Sequence, residues 1–154
     1  MRLSEWCAST PARDAVSPKV LAVVEPVLAA LGAVRDPACW ITWGDEPATR
    51  WGLLASTEAG LVTLAVRVNI PQEGPRASGK LVRWSRVQVG DFAVEMQGGH
   101  RFISTSLEGV ILRGMNEEAD RIGAFLQGVL AALDGRRPPD DAPEVQVRPE
   151  VDAG

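Results

Sequence analysis

Leu61-Val62-Thr63-Leu64-Ala65-Val66-Arg67-Val68-Asn69-Ile70 is the stretch on which the fold class turns. Val62, Leu64, Val66, Val68 and Ile70 point one way and Thr63, Ala65, Arg67 and Asn69 the other, the two-residue period of a β-strand. One apolar and one wetter face is the mark of an antiparallel sheet or barrel wall. Upstream, after the Asp36-Pro37 turn, Cys39-Trp40-Ile41-Thr42-Trp43 and residues 51–56 give two more strand runs around a Gly44 to Pro47 turn. Downstream, residues 71–79 read as an exposed loop rich in Pro, Gly and charge, and residues 80–89 as the next strand. Gly90-Asp91 then turns into residues 92–97, and Gly98-Gly99 is a two-residue hairpin signal leading to residues 100–105. A tight turn there sets Val94 opposite Ile103 and Met96 opposite Arg101. The last run is residues 110–113, followed by Gly114.

Helical patterns flank this β region. Ser17-Pro18 is a helix start, with Ser as N-cap and Pro where its missing N–H costs nothing. Val20, Val23, Val24, Val27, Leu28 and Leu31 recur at helical spacing up to Gly32, and Pro26 should kink or divide the helix. After the strands, Asn116 can cap a helix whose first turn holds Glu117, Glu118 and Asp120, favourable at the positive end of the dipole. Ile122, Leu126, Val129, Leu130 and Leu133 form its apolar stripe, with Phe125 beside it and Gly135 as the stop. This gives an extension over residues 1–16, where Trp6 and a turn at Thr10-Pro11 stand out. One α+β domain follows over 17–135, and a disordered acidic Pro-rich tail over 136–154.

Strands first and a single closing helix predict an antiparallel β-barrel or strongly bent sheet of about seven strands, with an N-terminal helix and a C-terminal capping helix. That order resembles the pleckstrin-homology-like architecture, in which the helix plugs one open end. The resemblance implies a binding function. The alternative is an open antiparallel sheet with both helices on one face, as in small α+β chaperones.

The 154 residues carry a net charge of −4, which excludes a nucleic-acid binder of the usual basic kind. Seven basic residues against four acidic ones lie between Gly60 and Met115, whereas six acids outnumber three arginines from Asp134 onward. Arginine appears 14 times, lysine only at positions 19 and 80, and tyrosine not at all, a balance that GC-rich coding explains. Ser4, Glu5, Arg13 and Asp14 interrupt any secretory core, and Glu25 and Pro26 break the longest apolar run. A cytoplasmic protein is expected, with Cys7 and Cys39 reduced and packed as small hydrophobes.

Chemistry-bearing groupings are sparse. His100 is the only histidine and follows a turn, with no orienting acid or nucleophile placed beside it by spacing. Cys7, Cys39 and His100 lack the paired spacing of a zinc site, so neither metal nor cofactor is expected. Ser104 to Gly109 resembles the Asp/Asn-x-Ser-x-x-Gly element of PilZ cyclic-dinucleotide receptors, but Ser104 stands where the acid belongs and no arginine motif precedes it.

Trp40 and Trp43, three apart, face opposite sides of their strand, while Trp51 and Trp84 lie in other runs. Any of these four left exposed is a candidate partner surface. Lys80 and Arg86 share a strand face and, with Arg101, are the candidate anion-binding set. The leading expectation is a non-enzymatic, adaptor-like or chaperone-like protein-interaction domain with a protein partner, homo-oligomerisation included. A small-molecule or anionic-headgroup binder is the alternative, and an enzyme using His100 comes third.

Overall fold

In the computed structural model the described residues are 2–5, 18–46 and 49–135. The expectations for Trp6, Cys7, Thr10-Pro11, Ser17, Pro47 and the tail after Gly135 lie outside them.

Helix α1 (Pro18–Ala30) precedes strands β1 (Cys39–Glu46), β2 (Arg50–Ser56), β3 (Gly60–Arg67) and β4 (Arg76–Arg83), which form one antiparallel sheet in that order. A 3-10 turn (Trp84–Arg86) leads to β5 (Val89–Gln97), β6 (His100–Leu107) and β7 (Val110–Met115), a second antiparallel sheet. Helix α2 (Glu117–Leu133) closes the chain. The architecture is therefore α+β with seven strands. The strands do not close into a barrel, because β4 and β5 belong to different sheets on either side of the 3-10 turn.

The helices lie on opposite faces of the four-stranded sheet, which corrects the alternative of an open sheet with both helices on one face. Val20, Val24 and Leu28 of α1 pack with Trp51, Leu53, Ala55, Val62, Leu64 and Val66 in a first core. Ile122, Phe125 and Val129 of α2 pack with Ile41, Leu54 and Leu61 from the other face, and with Ile103, Leu107 and Leu112 of the second sheet. Helix α2 is thus sandwiched between sheets, and β2, covered on both sides, is buried from Trp51 to Ser56. In β3, Val62, Leu64 and Val66 face α1 as the alternation predicts, while Leu61 joins the second core.

Local chemistry sets the element ends. Helix α1 runs through Pro26, which is exposed, and is followed by Gly32 with a φ of 99°. There the Gly32 N–H donates to Ala29 O at 3.1 Å and Ala33 N–H to Leu28 O at 2.9 Å, the paired bonds of a Schellman cap. Gly98 and Gly99, at φ 58° and 82°, make the β5–β6 turn. As expected from that turn, Val94 pairs with Ile103 and Met96 with Arg101.

Three expectations are corrected. Strand β4 begins at Arg76 and ends at Arg83, because Trp84 turns inward and donates its indole N–H to Thr57 O at 3.0 Å. Asn116, at φ 54°, does not cap α2 with its side chain, because its Oδ1 accepts the Arg101 N–H at 3.2 Å instead. The buried stripe of α2 is Ala119, Ile122, Phe125, Leu126 and Val129, with Phe125 at its centre and Leu130 42% exposed.

Candidate functional site

His100 is exposed at the β5–β6 turn and accepts a hydrogen bond at Nδ1 from Asn116 Nδ2 at 3.1 Å. Nearby, Arg101 pairs with Asp120 of α2. This network fastens the start of α2 to β6. Cys39 sits under α2, where its Sγ meets Phe125 O at 3.8 Å and would collide with any side chain at Gly128. Burial pushes its thiol pKa up to about 12, so it stays protonated and poorly nucleophilic. No cluster of three or more potential metal ligands occurs among the described residues.

The predicted tryptophans are part of the packing. Trp51 is buried in the first core and Trp40 lies half-buried against it. Trp43 and Trp84 lie half-buried against the second core. None of the four is exposed. The predicted basic set is dispersed over three elements: Lys80 is in β4, Arg86 in the 3-10 turn and Arg101 in β6 of the other sheet. The turn also breaks the alternation on which Lys80 and Arg86 would share a face.

Two open surfaces emerge instead. The first is on β5. Cross-strand partners share a face, so Phe92, Val94 and Met96 lie on the face of Thr105, Ile103 and Arg101, which continues to Leu112 and Gly114 of β7. Helix α2 packs on β6 and β7 and buries Ile103, Leu107 and Leu112. Beyond that cover, Phe92, Val94 and Met96 are 47%, 55% and 68% exposed. Strand β5 is also an outer strand of its sheet, paired only with β6. The alternation of these three residues is visible in the sequence; that a helix stops short of them is not.

The second surface is the α2-side face of the four-stranded sheet at the end that α2 does not reach. Register aligns Arg50, Arg67 and Arg76 directly across β2, β3 and β4, and next to them Trp43, Gly52, Ala65 and Ser78. Lys80 continues the same face. A groove of about 620 Å³ runs here, lined by Trp43, Gly44, Arg50, Trp51, Ala65 and Arg67 among others. Glu73 pairs with Arg67 at 3.2 Å. Sequence reading missed this arginine row because it follows from the pairing register of three strands, and the residues are 17 and 9 positions apart.

No family model, no curated protein and no solved structure matches the chain. No helix among the described residues is long and apolar enough to cross a membrane.

Proposed function

We propose that this chain is a non-enzymatic protein-interaction domain, adaptor-like or chaperone-like, that takes an extended segment of a partner protein onto β5. The observation that carries this reading is the exposure of Phe92, Val94 and Met96 on the face that elsewhere in its sheet buries Ile103, Thr105, Leu107 and Leu112. Edge strands are usually protected by proline, lysine, brevity or a cover. Strand β5 has nine residues, no proline and no lysine, and its one irregularity falls before Phe92. Strand addition would supply backbone hydrogen bonds for affinity, and the apolar row would supply specificity.

Glu95, on the opposite face of β5, favours a partner strand that alternates apolar residues with Lys or Arg. In this reading the partner surface is β5 rather than the tryptophans.

The test is a native pull-down with the whole chain and with Val94→Lys, a change at an exposed position. A partner recovered by the wild type and lost with Val94→Lys, at an unchanged melting temperature, is the expected result. Equal recovery by both proteins, or no specific partner with the wild type, would sink the reading.

A further inference from the structure

The arginine row and Trp43 are independent of β5 and ask for a different ligand. Directly opposed side chains on neighbouring strands have Cβ atoms roughly 5 Å apart, and like charges at that spacing are destabilising. Arg50, Arg67 and Arg76 repeat this across three strands, with Lys80 further along the same face of β4, beyond Ser78. Against these four bases stands Glu73, in contact with Arg67. Among the described side chains the face is therefore net positive, in a chain whose overall charge is −4. Guanidinium groups aligned on one face offer the forked donor geometry by which arginine holds phosphate.

Beside the row, the Trp43 ring lies on the backbone of Gly52. A Cβ at position 52 would sit 2.2 Å from the ring, so glycine is what allows the indole to lie flat there. The ring forms one wall of the groove, whose volume of about 620 Å³ is that of a site for a small molecule. Flat aromatic surface next to clustered guanidinium groups is the combination that stacks a planar ring while neutralising its phosphate.

We propose that this groove binds a small ligand carrying a phosphate beside a planar ring, the chemistry of a mononucleotide. Arg50 and Arg67, which line the groove, hold the phosphate, Arg76 beside Arg67 adds to the field, and Trp43 stacks the ring. Because the groove is open, binding is modest and salt-sensitive.

Calorimetric titration with AMP, ribose 5-phosphate and adenosine tests the proposal. AMP should bind with a Kd below about 1 mM. Ribose 5-phosphate, which lacks the ring, should bind at least about fivefold more weakly, as should adenosine, which lacks the phosphate. Arg76→Glu, at an exposed position, should weaken AMP about tenfold or more. Trp43→Ala should bring AMP down to the level of ribose 5-phosphate. Since Trp43 also touches the second core, Ala65→Glu serves as a second variant. It puts an acid into the groove from an exposed position and should abolish AMP binding without lowering the melting temperature. No AMP binding at 1 mM, equal binding of AMP and ribose 5-phosphate, or AMP binding unchanged in Arg76→Glu and Ala65→Glu would each overturn the proposal.

Discussion

Cys39 shows how one buried atom couples packing to pH. The Sγ lies between Phe125 O and the backbone of Gly128, where solvent cannot stabilise a thiolate, and its pKa rises from 9.0 to about 12. Below pH 9 the thiol is neutral in both folded and unfolded chains, and its contribution to stability is complete. Between pH 9 and 12 the unfolded chain gives up the proton and the folded one keeps it, so stability falls as pH rises. The loss is about 1.4 kcal/mol per pH unit, about 3 kcal/mol by pH 11. Melting temperatures of the wild type and Cys39→Ala, followed from pH 8 to 11, should therefore converge as the wild type loses this contribution. Parallel curves would mean that the thiol ionises freely in the fold.

At the scale of elements, what was legible depended on whether a local signal carried the information. Gly98-Gly99 can only make a tight turn, so the pairing of β5 with β6 could be read to the residue. The start of β4 could not, since Arg76-Ala77-Ser78-Gly79 has no apolar alternation and is ordered by pairing with β3. Likewise the arginine row and the uncovered part of β5 are products of register and of where α2 stops. Local propensity also misleads in α1, where Pro26 reads as a break but the helix continues through it, held by Val24 and Leu28 on either side in the first core. An interior proline costs a helix roughly 3 kcal/mol relative to alanine, partly returned through the stiffer unfolded chain. Because Pro26 is exposed, Pro26→Ala should raise the melting temperature by a few degrees, about 2–4 °C for each kcal/mol recovered. A lower melting temperature would show that the proline shapes α1 for its seat on β3 and β4.

Over the whole molecule, the four-stranded sheet is a shared wall between two cores, and β2 is where they meet. Leu53 and Leu54 are neighbours in sequence, both 0% exposed, yet Leu53 belongs to the core under α1 and Leu54 to the core around α2. Neither core can lose this wall and persist, so the two should unfold together. Truncating a buried leucine to alanine costs about 2–5 kcal/mol, a large part of the roughly 5–15 kcal/mol that holds a domain folded. Leu53→Ala and Leu54→Ala should therefore each lower one common transition by a similar amount. The tryptophans make this measurable, since Trp40 and Trp51 report on the first core and Trp43 and Trp84 on the second. Fluorescence and far-UV circular dichroism should then coincide in the wild type and in both variants. A Leu54→Ala protein that loses the second sheet and α2 at low denaturant while the first core persists would divide the molecule in two. In that event β5 and the arginine groove would belong to separately folding parts, and partner binding and phosphate binding could be lost one without the other.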